Sequence, residues 1–143
     1  MDIVRRNTDY ALRAMINLAR NYENELVSSR TISIEEKVPY QLTCKLMQKL
    51  HKAKLVKSVM GPKGGFSLSR EPSKITLLEI IEVIQDSLSL NRCLLAKHNC
   101  PKLKSCTIRP KLIELQDYIG NYFTNITLDD LIPKDSKIVR KKK

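Results

Sequence analysis

The turn Gly61-Pro62-Lys63-Gly64-Gly65 lies between two short runs in which apolar and polar residues alternate, residues 55–60 and 66–68. Such runs on either side of a Gly/Pro turn make a β-hairpin. Three helical patterns precede it. Over residues 8–22, Ala11, Ala14, Met15, Leu18 and Ala19 recur at helical spacing, with Asn7 and Thr8 as caps. Ser33-Ile34-Glu35-Glu36 reads as a capping box that opens a short helix. Pro39 suits the first turn of another helix, which runs to residue 52 with Leu42, Leu46, Met47 and Leu50 on one face. A helix, a short helix, a helix and a hairpin, in that order, predict a winged helix-turn-helix.

Charge follows the same division. The net charge is +11, yet residues 1–25 balance four basic against four acidic side chains. Residues 26–70 carry nine basic and two acidic residues, so the excess falls on the short helix, the next helix and the hairpin. That placement points to a polyanion, and double-stranded DNA is the partner that the fold expects. Tyr40, Gln41, Thr43 and Lys45 fall near the start of the reading helix. Gln41 and Thr43 carry groups able to meet base edges, whereas Lys45 and Lys49 suit phosphates. Lys63 stands at the wing tip beside glycines that permit close backbone approach. Cys44, in the same helix, reads as a small helix residue.

Beyond the hairpin, Thr76-Leu77-Leu78-Glu79 is a second capping box, ahead of Ile80, Ile81, Val83 and Ile84. Leu112, Leu115, Ile119 and Tyr122 then recur at coiled-coil-like spacing, which predicts a long helix that pairs with its twin. Thr127 opens a last short turn. Between these helices lie Cys93, Cys100 and Cys106, with six residues separating the first pair and five the second. Three thiols in one polar segment suggest a shared ligand. Arg92, Lys97, Lys102 and Lys104 lie among them, and positive charge beside a thiol favours the thiolate, the form that binds metal or reacts.

Other classes find little support. No apolar run approaches the ~20 residues of a membrane span. The start Met-Asp-Ile-Val-Arg-Arg carries no secretory apolar region, so a cytoplasmic setting with reduced thiols is expected. No Ser/His/Asp set, phosphate-binding Gly loop or His-Glu-x-x-His motif is present, so no enzyme is expected. With no tryptophan, a base-stacking platform for single strands is not expected.

In order, Asn7 to Met15, the wing Gly61 to Phe66, Ile75 to Ile81, the three cysteines and Asn125 to Leu131 resemble the bacterial winged-helix transcription regulator family of IscR, NsrR and CymR. The resemblance spans about residues 2–133. It implies a homodimer that binds a pseudo-palindromic operator, and in the cluster-binding branch an iron–sulfur cluster held by Cys93, Cys100 and Cys106. The first cysteine spacing is one residue longer than the family's usual one. Arg109 stands where IscR-like members carry a histidine ligand. Asp9 matches the aspartate with which NsrR-like members complete the site from the partner subunit, and His98, inside the segment, is the runner-up. Three cysteines and one oxygen favour 4Fe–4S over 2Fe–2S. A cluster-free thiol-redox or zinc-binding regulator of the same fold is the alternative.

The chain is therefore expected to be mainly α with a small β-hairpin. A winged helix-turn-helix domain is expected over residues 1–80, the cysteine segment and a long dimerisation helix over 81–133, and a basic, disordered tail over 134–143. The expected function is a redox-, nitric-oxide- or iron–sulfur-responsive transcriptional repressor.

Overall fold

The computed structural model describes residues 2–95 and 99–135. His98, and the tail from residue 136 onward, lie outside the described residues. The elements follow the order α1 (Arg6–Arg20), α2 (Ser29–Glu36), α3 (Tyr40–Lys52), β1 (Val56–Val59), β2 (Gly65–Leu68), α4 (Leu77–Gln85), α5 (Arg109–Thr124) and α6 (Leu128–Leu131), with 3₁₀ turns at Pro72–Lys74 and Arg92–Leu94. The fold is mainly helical with a two-stranded antiparallel hairpin, as expected.

α1 runs through the centre. Ala11, Ala14, Met15, Leu18 and Ala19 are buried on one face, against Ile32 of α2, Leu46, Met47 and Leu50 of α3, and Ile80 and Ile84 of α4. Its three alanines let the neighbouring helices approach closely, while Met15 and Leu18 fill the gaps. Asn17 is the polar member of this face. Its amide donates to Glu35 at 2.6 Å and Glu36 at 2.9 Å, which fastens α1 to the end of α2.

Two helix starts differ from the sequence reading. α1 begins at Arg6, and neither Asn7 nor Thr8 caps it. Thr8 lies inside the helix, fully buried, and its hydroxyl donates to Gln85 Oε1 at 2.7 Å. The Arg5 N–H donates to the same oxygen at 3.2 Å, and Gln85 Nε2 donates to the Ile3 carbonyl at 3.0 Å. A glutamine from the end of α4 thus does the work of a local cap. α2 begins at Ser29, capped by Ser28, whose hydroxyl accepts the Thr31 N–H at 3.1 Å. Ser33 and Glu36, read as the opening box, fall in its last turn. There the Ser33 hydroxyl donates to the Val38 carbonyl at 2.6 Å and steadies the turn into α3.

The hairpin pairs Val56 with Leu68 and Val59 with Gly65. Its turn closes through Gly64 N–H to the Gly61 carbonyl at 3.0 Å, with Pro62 and Lys63 at the centre. Gly61 has φ +106°, and a Cβ on Gly64 would strike the Val59 carbonyl oxygen. Glycine is required at both places.

α4 opens with the capping box expected at Thr76 and Glu79. Past α5 the chain returns to the winged-helix body. Leu77 N–H meets the Ile126 carbonyl at 2.8 Å and Leu128 N–H the Ile75 carbonyl at 2.9 Å. Leu128 and Ile132 complete the core around α1. No helix among the described residues is long and apolar enough to cross a membrane.

Candidate nucleic acid interface and cysteine segment

α2 and α3 are joined by Lys37, Val38 and Pro39. Lys37 takes the left-handed conformation, φ 55° and ψ 47°, which ends α2 and redirects the chain. Val38 is buried and anchors the turn, and the Pro39 carbonyl accepts the Thr43 N–H at 2.9 Å to start α3. With Leu46, Met47 and Leu50 turned inward, Tyr40, Gln41, Lys45, Gln48 and Lys49 remain exposed on α3.

One expected reading residue moves off this surface. Thr43 is 2% exposed, and its hydroxyl donates to the Pro39 carbonyl at 3.1 Å. It lies on the core side with Met47 and Leu50, where it cannot meet a base edge. The sequence reading placed the face of α3 wrongly at this position. Lys49 is exposed, and its ammonium reaches the Ile84 carbonyl at the end of α4 at 3.5 Å, a long contact that matches cation to helix C-terminus. Lys63 is exposed at the centre of the wing turn.

α2 adds one residue that the sequence reading missed. Arg30, in its first turn, lies over the Tyr40 ring at the head of α3, 4.9 Å from the ring centroid. No spacing rule reveals a contact between residues on two helices.

The cysteine segment begins where α4 ends. Asp86 has φ 71° and ψ −57°, and the Ser87 N–H closes a tight turn on the Gln85 carbonyl at 2.9 Å. Leu88 and Leu90 are buried, and Gln116 of α5 accepts the Leu90 N–H at 3.0 Å, so the start of the segment is fixed to α5. Cys93 sits in the 3₁₀ turn, Cys100 opens a turn closed by Leu103 N–H at 3.2 Å, and Cys106 precedes α5. All three are free, half-buried thiols, as is Cys44 on α3. Cys106 Sγ accepts the Arg109 N–H from the first turn of α5 at 3.4 Å. Arg109 Nε is buried without a partner among the described residues.

Among the described residues, no three His, Cys, Asp or Glu side chains converge closely enough to hold a metal ion. Asp9, in the first turn of α1, pairs instead with Arg13 at 2.9 Å, both half exposed. The donor chemistry nevertheless fits a sulfur-ligated iron group. Three free thiols share one segment, and a helix-start N–H already points at one sulfur. Donors of this kind stabilise anionic thiolate ligands.

α5 carries the other unsatisfied feature. None of its residues is buried, and Leu115, Tyr118 and Tyr122 are 49%, 70% and 60% exposed. The apolar stripe read from the sequence splits: Leu112 and Ile119 are half-buried, and Tyr118 joins Leu115 and Tyr122 on the open side.

Residues 4–134 match the family model Rrf2, described as an iron-dependent transcriptional regulator. The chain is 39% identical over 130 residues to an HTH-type transcriptional regulator of Aquifex aeolicus, covering 90% of each. It is 32% identical over 123 residues to the HTH-type transcriptional regulator IscR of Escherichia coli, covering 86% of this chain and 75% of that one. Among solved structures it is similar to CymR, the global cysteine regulator of B. subtilis, with a TM-score of 0.76 and 27% identity over 92% of this chain and 96% of that one. It is also similar to T. potens IscR, with a TM-score of 0.72 and 27% identity over 90% of this chain and 84% of that one.

Proposed function

The chain belongs to the Rrf2 family of transcriptional regulators, and on that premise we propose that it is a cytoplasmic homodimeric repressor whose hold on DNA is set by an iron–sulfur cluster. Regulators of this family bind DNA and are not enzymes. The observation that carries the cluster reading is the set of three free thiols between α4 and α5, with the Cys106 sulfur facing a helix-start N–H. Cys93, Cys100 and Cys106 would hold the group, with Asp9 of the partner subunit as fourth ligand. When bound, such a cluster supplies ligation that is reversible and sensitive to oxygen, nitric oxide and iron supply.

The chain's own residues supply the rest. α3 presents Gln41 to base edges and Lys45 to phosphates, and the wing presents Lys63 to the backbone of the flanking DNA. The open face of α5, through Leu115, Tyr118 and Tyr122, pairs with its copy and sets the distance between two reading helices. That distance must match half-sites about one helical turn apart, which a pseudo-palindromic operator provides. Residues 1–80 form the reading part and residues 81–133 the sensing and pairing part, which lends Ile84, Leu128 and Ile132 to the core of the first.

Anaerobic purification followed by iron, sulfide and visible-absorbance measurements tests the cofactor. Native protein should be coloured and contain iron with acid-labile sulfide, at a ratio that identifies 4Fe–4S. Cys93→Ala, Cys100→Ala and Cys106→Ala should each lose the colour, and Cys44→Ala should keep it. Stoichiometric zinc without sulfide, or all four cysteines alkylatable without metal, would replace the cluster with a zinc or thiol-redox device on the same fold. The likeness to CymR, a cysteine regulator, supports that second reading.

A further inference from the structure

We propose that the stacked pair Arg30 and Tyr40 is a phosphate clamp for duplex DNA, placed beside the base-reading end of α3. It rests on the DNA-binding reading above and adds a contact outside the reading helix and wing.

Four observations carry it. Arg30 is exposed in the first turn of α2, and Tyr40 is the first residue of α3, so the pair spans both helices of the helix-turn-helix at their N-terminal ends. The guanidinium carbon lies 4.9 Å from the ring centroid, within cation–π range. Tyr40 is 45% exposed, so the ring supports the guanidinium without enclosing it. Finally, the charge of Arg30 is available. Arg13, Arg20 and Arg70 each pair with a carboxylate, whereas among the described residues Arg30 pairs with none. The first turn of α2 also carries no acidic residue.

The stack decides what this arginine is suited to. A free arginine loses considerable side-chain freedom when it binds, whereas one already flattened on a ring keeps its fork of N–H donors in place. A ring offers no competing acceptor, so the edge donors stay open to a phosphate oxygen pair. Gln41 follows Tyr40 directly on α3. A phosphate held at Arg30 would therefore fix the height of α3 in the groove and the register at which Gln41 meets the bases.

The test uses the full-length protein and two fluorescent duplexes of equal length. One is selected from random-sequence DNA on the wild-type protein, and the other is unselected. Affinity is measured across a salt series. Arg30→Ala should weaken both duplexes alike, about tenfold, and flatten the log-affinity against log-salt slope by about one. Arg30→Lys should keep the slope while recovering only part of the affinity, because an ammonium lacks the fork. Tyr40→Leu should fall between them with the slope unchanged, and Tyr40→Phe should match wild type. Thermal melting monitored by circular dichroism checks that each variant is folded. Unchanged affinity and slope for folded Arg30→Ala would overturn the proposal. So would a loss confined to the selected duplex, which would make Arg30 a base reader. If wild-type protein enriches no sequence and binds neither duplex, the regulator reading itself fails instead.

Discussion

α1 and α5 are nearly the same length, 15 and 16 residues, and both carry apolar residues at helical spacing. Seven residues of α1 are buried, and α5 has none. α1 is enclosed by α2, α3, α4 and α6, whereas α5 rests on α4 and the cysteine segment and leaves Leu115, Tyr118 and Tyr122 in water. Periodicity states that a helix has a face to hide, but not whether its cover lies in the same chain. For α1 the cover is folded around it. For α5 it is the second copy proposed above, and the cysteine segment lies against the same helix.

The sharpest contrast is Leu18→Ala against Leu115→Ala. Leu18 is enclosed on all sides, so its loss leaves a cavity and should cost about 2–5 kcal/mol. Urea unfolding at fixed protein concentration measures it. Leu115→Ala should move the same curve by far less at concentrations below dimer dissociation. Equal costs would mean that α5 is as enclosed as α1.

The pairing of α5 comes next. Leu115→Asp with Tyr122→Asp places two carboxylates on the open face. Sedimentation at micromolar concentration should report monomers whose far-ultraviolet circular dichroism keeps the winged-helix content. A persistent dimer would move the interface elsewhere, and general loss of helix would return α5 to the core.

These two outcomes bear on what the sequence revealed. The hairpin was legible because Gly61-Pro62-Lys63-Gly64 specifies its turn, and the core faces of α1 and α3 because burial follows 3.6-residue spacing. Thr76 and Thr127 opened helices as their patterns implied. Ser33-x-x-Glu36 has the same pattern and closes a helix, because Ser28 captured the start and the Ser33 hydroxyl found the Val38 carbonyl. The pattern specifies the donors and acceptors, not which partner wins. Thr43 was misplaced for a related reason: a short polar side chain can satisfy its hydroxyl on the Pro39 carbonyl and then pack inward. Gln85 and Arg30 were illegible because their partners lie at distances set by tertiary structure, 77 residues away for Thr8 and on a separate helix for Tyr40.

The Gln85 clamp offers a third test, because it serves the enclosed helix from the edge of the open region. Gln85→Leu keeps the volume roughly and leaves the Thr8 hydroxyl, the Arg5 N–H and the Ile3 carbonyl without their partner. Of these only the Thr8 hydroxyl is buried, and one unsatisfied buried group costs about 1–3 kcal/mol. Amide hydrogen exchange should speed up at the first turn of α1 and leave α5 unchanged. Faster exchange in α5 alone would show that the clamp belongs to the cysteine segment and not to α1.

The smallest expected effect lies at the start of α4, the helix that both α1 and α5 touch. Burial alone would raise the Glu79 carboxyl. The Thr76 N–H at 2.8 Å, the Arg70 guanidinium at 2.9 Å and the Thr76 hydroxyl outweigh it, so Glu79 sits below the ordinary glutamate value. A carboxyl with a lowered folded pKa adds stability above its unfolded value and loses it as pH falls through the folded one. Glu79→Gln can keep the capping-box geometry while removing the charge. Its half-exposed ion pair with Arg70 is screened by solvent, so the wild-type advantage at neutral pH should be only about 0.2–1 kcal/mol. Urea midpoints of the two proteins should converge on acidification through about pH 5 to pH 3. A gap that stays constant across that range would assign the effect to hydrogen-bond geometry, with no contribution from charge.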